Sequence, residues 1–234
     1  MSLGHFKRKG RHGFRRGRIA FNSARIFNSN FAQTLRSLRL KLRMNKKSRI
    51  AVLASGNGTN AEAIFKYFGH HPSIQAVLLL SNNPSAVALE RAKQYGIPAK
   101  VFTREQFSGS DEVLHWLGEF AVTHIVLAGF LWLIPEHLLK AFPDRIINIH
   151  PALLPKFGGK GMYGTKVHEA VKAGGEKETG ISIHLVNEHY DKGNILFQAR
   201  CKIESSETSE QIAAKVNQLE YINYPKVIEG WISN

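Results

Sequence analysis

Asn148 and His150 stand one residue apart in the run RIINIHPALLPKF, from Arg145 to Phe157. Residues at i and i+2 of a strand point to the same face, so an amide and an imidazole would sit side by side at the end of an otherwise apolar strand. In an open parallel sheet, ligands bind beyond the carboxyl ends of the strands. An amide N–H can donate to a developing oxyanion, and an imidazole changes charge near neutral pH. The same pair could instead be a hydrogen-bonded terminus of a core strand. Asp191 lies in HYDKG, where Gly193 lets the chain turn. It either shapes the turn alone or approaches His150. In the second case its carboxylate would favour the imidazolium and raise the histidine pKa.

A second candidate is SGNGTN, which follows one strand-like run and opens a helix-like one. Gly56 and Gly58 permit a tight turn, and the first amides of the helix would then point outward, as a phosphate requires. The turn lacks the lysine of a Walker loop and the glycine spacing of a dinucleotide fingerprint. A plain turn capped by Thr59 or Asn60 is the alternative. His70, His71 and His115 read as surface residues, and His184, on a strand, as packing or satisfying a local bond. No histidine and acid spacing suggests a metal site. Cys201 is the single cysteine, which excludes an intrachain disulfide and a cysteine-based zinc site.

The elements that must position these residues alternate. RIAVLA, IQAVLLLS, AKVF, HIVLAGF and RIINIH read as strands. AEAIFKYF, SAVALERAKQYG, DEVLHWLGEF and PEHLLKAF, with Pro135 in the first turn of the last, read as the helices between them. This pattern predicts an α/β fold: a mostly parallel twisted sheet with helices on both faces. A helix follows near KVHEAVKAGG. GISIHLV and NILFQARCKI then read as an antiparallel pair closing the sheet edge, and a last helix runs from about Thr208 to Trp231.

The net charge of +14 is not spread over this pattern. Residues 1–47 hold 14 of the 32 Lys and Arg and none of the 18 acids, so residues 48–234 are formally neutral. The expected organisation is a basic, disordered leader over 1–47 and one domain over 48–234. An acid-free, arginine-bearing segment with Leu35, Leu38 and Leu42 on one helical face resembles an organelle transit peptide. It also fits a mis-assigned start, with Met44 as the natural one, or an RNA- or membrane-binding arm. The longest apolar run, IVLAGFLWLI, stops at Pro135 and is too short to span a bilayer.

VLASGNGTN, SNNPSAVALERAKQYGIP, VLAGF, INIHPALLPKF, GISIHLVNEHYDKGNILFQ and QLEYINYPKVI together resemble the phosphoribosylglycinamide formyltransferase branch of the folate-dependent formyltransferases, over about residues 48–232. The resemblance implies a Rossmann-like sheet and formyl transfer from 10-formyltetrahydrofolate to the amine of phosphoribosylglycinamide, in purine biosynthesis. It implies that Gly58, Thr59 and Asn60 hold the substrate phosphate, that Glu220 contacts its sugar, and that Asn148, His150 and Asp191 are the catalytic trio. By the same resemblance Leu131, Trp132, Leu133 and Ile134, the loop of Asn187, Glu188, His189, Tyr190 and Asp191, and Asn148 surround the folate. No metal, nucleic-acid or membrane partner is implied. The expected state is a monomer or homodimer in the cytoplasm, or in an organelle if the leader is a transit peptide. The chain departs from the family pattern at Trp132, where relatives often carry Arg, and in the long loop GGKGMYGTKVHEA. Arg104 is the nearest candidate for an arginine at the folate tail. The alternatives are a sister enzyme, either a formyltetrahydrofolate hydrolase or a formyltransferase with another amine acceptor, and an RNA-binding protein acting through its leader.

Overall fold

The computed structural model describes residue 1 and residues 47–233. The leader, with its transit-peptide, mis-start and RNA-binding readings, lies outside the described residues.

Strand β1 (Ser48–Leu53) is buried on both sides, as a central parallel strand must be. Ile50 and Val52 enter one core, Ala51 and Leu53 the other. β2 (Ile74–Ser81) and β3 (Ala99–Val101) lie to one side of β1. β4 (His124–Leu127) and β5 (Ile146–His150) lie to the other. All five run parallel. β6 (Glu178–Leu185) and β7 (Ile195–Lys202) continue the sheet antiparallel, giving the order β3-β2-β1-β4-β5-β6-β7. The strand order therefore reverses at β1, and the crevice between the carboxyl ends of β1 and β4 is the topological switch point.

Helices cover both faces. α1 (Thr59–Phe68), α2 (Val87–Gln94) and α7 (Ser209–Ser233) bury Ile64, Phe65, Ala88, Ile212, Val216 and Ile228 against one face. α3 (Arg104–Ser108), α4 (Glu112–Glu119) and α5 (Glu136–Ala141) bury Phe107, Val113, Leu117 and Leu138 against the other. α6 (Thr165–Ala173) follows the glycine-rich loop after β5, and its Val167 and Val171 pack on Ala152. The short helix α3 is absent from the sequence reading. Its signal is a capping box, in which Thr103 accepts from the Gln106 amide and the Gln106 side chain accepts from the Thr103 amide. Pro135 stands just before α5 at its cap position, rather than inside its first turn.

Two anchors fix the helices near the switch point. Tyr224, wholly buried on α7, donates its hydroxyl to the Leu127 carbonyl at 2.8 Å, pinning α7 to the end of β4. Gly58, at φ 70°, brings α1 against α2, and a Cβ there would lie 2.5 Å from the Ala88 Cβ. The left-handed conformation and the close approach both demand glycine. Gly58→Ala is therefore expected to cost roughly 2–4 kcal/mol through backbone strain and overpacking. A lowered urea midpoint at an unchanged m-value would show it.

Candidate functional site

The carboxyl ends of β1 and β2 and the segment after β4 are joined through one hydroxyl. Ser55 Oγ lies 2.6 Å from Asn82 Oδ1 and accepts the Leu131 amide at 3.1 Å, while the Ser55 amide donates to the Gly129 carbonyl. This places Leu131, Trp132, Leu133 and Ile134 at the mouth of a cavity of about 520 Å³. Trp132 is backed by Phe102, Phe107 and Phe130, and the Arg104 guanidinium lies over its ring at 3.8 Å. Arg104 also lines the cavity.

Asn148 and His150 reach the same cavity from the end of β5. In the antiparallel pairing with β6, Asn148 faces His184 and His150 faces Ser182. Ser182 Oγ donates to the Ala152 carbonyl and accepts the Leu154 amide, and Gln198 from β7 donates to both Ser182 Oγ and the Leu154 carbonyl. The bend after His150 is thus held from the two strands beside it. Its far side is tied to the site, because His150 Nε2 donates to the Phe157 carbonyl at 2.7 Å.

Asp191 joins these parts. It sits in the turn between β6 and β7 at φ 55°, and its side chain is 11% exposed. One oxygen lies 3.4 Å from Asn148 Nδ2 and 3.5 Å from His184 Nε2. The other lies 3.6 Å from His150 Nδ1 and accepts the Gly159 amide at 2.8 Å. Gly193 is required in this turn because a Cβ there would run into the Leu185 carbonyl. His184 donates from Nδ1 to the Leu185 carbonyl, and its Nε2 lies between Asn148 Nδ2 at 3.2 Å and Asp191 at 3.5 Å.

The electrostatics correct one expectation. Burial pushes the Asp191 carboxyl up, but the His184 bond, the His150 ring and the Gly159 amide outweigh it and leave the pKa below the ordinary value. For His150, burial dominates. Asp191 and the Phe157 carbonyl pull its pKa up and His184 pushes it down, and the result lies below the ordinary value. Proximity to Asp191 therefore does not lift the His150 pKa above its ordinary value in the free protein. Desolvation disfavours the imidazolium more than one carboxylate at 3.6 Å favours it.

A second polar pair spans 160 residues of sequence. Asn60 Nδ2 donates to Glu220 Oε2 at 2.9 Å, and Asn60 Oδ1 is buried without a partner. Glu220, on α7 one turn before Tyr224, is 7% exposed. Burial raises its pKa to about 7 despite the Asn60 bond. No side chain caps α1, so the Thr59 or Asn60 cap is not formed.

Of the residues singled out in sequence, Asn60, Leu131, Trp132, Leu133, Ile134, Asn148, His150, Asn187, His189, Tyr190, Asp191 and Glu220 line the cavity. Gly58 and Thr59 stand at the start of α1 outside its lining, and Glu188 is exposed and also outside it. His184 is buried and bonds the adjacent Leu185 carbonyl, as expected, but it also lines the cavity, with Nε2 3.2 Å from Asn148 Nδ2. Its signal was the alternation in SIH, which repeats that of NIH on the neighbouring strand. His71 is a correction. It is half-buried and bonds Glu229 at 3.1 Å, whereas His70 and His115 are exposed. Among the described residues no group of three or more His, Cys, Asp or Glu is placed to hold a metal ion, and no helix is long and apolar enough to cross a membrane.

An open, doubly wound α/β sheet with a polar cleft at its switch point defines a Rossmann-like protein whose ligands bind at the carboxyl edge. More particularly, the chain belongs to the formyl transferase family, whose model matches residues 48–228. An Arabidopsis thaliana protein named chloroplastic phosphoribosylglycinamide formyltransferase is 40% identical over 189 residues, covering 78% of this chain and 65% of that protein. This chain therefore spans slightly less than two thirds of that relative's length. A Haemophilus influenzae protein named phosphoribosylglycinamide formyltransferase is 38% identical, over 77% of this chain and 85% of its own. The crystal structure of phosphoribosylglycinamide formyltransferase from Anaplasma phagocytophilum matches with a TM-score of 0.72 at 34% identity, over 78% of this chain and 86% of that one.

Two outcomes follow from the buried charges. Between the free carboxyl pKa of 4.5 and the folded value of about 7, folded Glu220 keeps a proton that the unfolded chain has released. Stability therefore falls as pH rises through this window, by roughly 3 kcal/mol in total, and the full loss is present above it. Glu220→Gln should abolish that fall, making the variant the more stable form at pH 8 in urea unfolding. In Asp191→Asn, His150 loses the charge that pulls its pKa up, so its NMR titration should move to still lower pH.

Proposed function

We propose that the chain transfers the formyl group of 10-formyltetrahydrofolate to the amine of phosphoribosylglycinamide, a step of purine biosynthesis. The observation that carries this reading is the convergence of Asn148, His150 and Asp191 from two parts of the chain on one cavity. The names of the Arabidopsis, Haemophilus and Anaplasma proteins support the substrate assignment. In this reading Glu220 and Asn60 meet the sugar of the nucleotide, and the amides at the start of α1, with Gly58 and Thr59, hold its phosphate. The apolar surface of Leu131 to Ile134 and the loop Asn187 to Asp191, Glu188 included, enclose the pteridine. Arg104, held over the Trp132 ring, offers its cation to the carboxylates of the folate tail.

The reaction moves one proton overall. The amine nitrogen bonds to the formyl carbon and loses a proton, the carbon–nitrogen bond to the folate breaks, and the departing folate nitrogen gains a proton. Asn148 donates to the oxygen of the tetrahedral adduct, which replaces the longer, 3.4 Å contact of its amide with Asp191. His150 enters uncharged, because burial holds its pKa down. It takes the amine proton, becomes an imidazolium balanced by Asp191 and the oxyanion, and returns the proton to the leaving nitrogen. The chloroplastic name of the plant relative supports an organellar location as the alternative to the cytoplasm.

The direct test is a spectroscopic assay of the purified chain with 10-formyl-5,8-dideazafolate and glycinamide ribonucleotide. Release of the deformylated folate only when the amine is present supports transfer. Release without it would favour a hydrolase. Asn148→Ala and His150→Ala should fold as wild type by circular dichroism and lose about 10²–10⁴-fold in kcat. Turnover near wild type in either would remove that residue from the mechanism.

A further inference from the structure

His168, on the second turn of α6, lines the same cavity and is only 5% exposed. Its Nδ1 is buried without any hydrogen-bond partner. A buried imidazole whose nitrogen bonds nothing in the protein destabilises the fold relative to a hydrocarbon of similar size. No structural bond therefore accounts for histidine at this position. What remains is the other nitrogen, Nε2, which is not among the buried unpartnered atoms and belongs to a ring that lines the cavity.

Two further observations say what that nitrogen meets. α6 packs against α7, the helix that carries Glu220 and Asn217, and both of those side chains line the cavity. His168 thus shares the cavity lining with these polar side chains, and its ring lies within electrostatic reach of His150. Burial and the neighbouring His150 ring both hold its pKa below the ordinary value, so the ring is uncharged at neutral pH. An amine that is to attack a carbonyl must arrive with a free lone pair. A carboxylate beside it would favour the ammonium form, whereas an uncharged imidazole can accept an N–H bond without doing so.

We propose that His168 is a further substrate-positioning residue, whose uncharged imidazole accepts a hydrogen bond from the N–H groups of the amine-bearing substrate beside His150. This rests on the formyl-transfer reading and adds to it a contact outside the catalytic trio.

The test is the steady-state kinetics of the full chain and of His168→Leu and His168→Gln, with each substrate varied in turn, together with their melting temperatures. Loss of one neutral hydrogen bond should raise the KM for glycinamide ribonucleotide by about three- to tenfold in His168→Leu. The KM for the formyl folate should stay within twofold. His168→Gln, which keeps an acceptor, should recover most of the loss. The Leu variant should melt no lower than wild type, because it removes an unsatisfied buried nitrogen. Unchanged KM values in His168→Leu would overturn the proposal. So would a fall in melting temperature shared by both variants with both KM values raised alike, which is the mark of a structural role. Should His168→Leu fail to fold, calorimetric affinity of His168→Gln for glycinamide ribonucleotide decides. Retention within threefold supports the contact, and a larger loss overturns it. If the wild type itself transfers nothing to glycinamide ribonucleotide, the formyl-transfer reading fails and this contact with it. If the wild type is active and His168→Leu is unaltered, the proposal alone fails.

Discussion

The carboxylate of Asp191 is the point at which four separately folded parts of the chain meet: β5 through Asn148 and His150, β6 through His184, the hairpin turn that carries it, and the glycine-rich loop through the Gly159 amide. None of these is adjacent to another in sequence except the turn and β6. A carboxylate accepts at both oxygens and in several directions, which a hydroxyl or amide cannot match. Its charge also offsets part of the cost of burying two imidazoles in one cleft. The turn is specified by backbone geometry, with Asp191 left-handed and Gly193 denied a side chain by the Leu185 carbonyl. Moving this turn would release the loop over the cavity and the orientation of Asn148 together.

Burial works in opposite directions at the two ends of the cleft. At Glu220 it raises a carboxyl to about 7, so a group that would be an anion on the surface is close to half-protonated at neutral pH. At His150 it lowers an imidazole, so a group that Asp191 would otherwise charge stays neutral. Both effects have one origin, the expense of a charge in a poorly hydrated pocket. The consequence is that His150 is uncharged and Glu220 only partly charged before a ligand enters, in a cavity that Asp191, Arg104 and Lys160 also line. Charge then develops only when a reacting group supplies its counterpart, which is the condition under which fixed dipoles and proton donors act most strongly.

The fold was largely legible because its signal is local. Alternating apolar runs and helical periods disclose each strand and most helices, and the hairpin of β6 and β7 follows from two β-rich runs around a glycine turn. The pair Asn148 and His150 was legible for the same reason, since period-two alternation fixes a shared face. His184 carries an identical alternation, but its meaning depends on the β5–β6 register, in which Asn148 faces His184. Without that register a strand histidine is indistinguishable from a packed one. The Asn60–Glu220 bond and the Arg104–Trp132 stack join residues far apart, and no local pattern foretells either. The sign of the His150 shift was misread because it is a contest between distance and burial, and a sequence supplies neither.

The arrangement also explains why polar side chains can gather here without undoing the sheet. Two hydrophobic cores sandwich the strands along most of their length, and the polar residues begin only where the strands end. Ile147 and Ile149 remain in one core while Asn148 and His150 project from the opposite side of the same strand. Where burial of a polar group is unavoidable, a neighbour satisfies it: Ser182 bonds the bend at Ala152 and Leu154, and Tyr224 bonds the end of β4. Among the described residues four side-chain atoms are buried without partners: Asn60 Oδ1 and His168 Nδ1, on residues that line the cavity, and His137 Nε2 and Thr179 Oγ1, on residues that do not. Where such atoms belong to residues that line a cleft, a polar ligand is the natural source of the missing bonds.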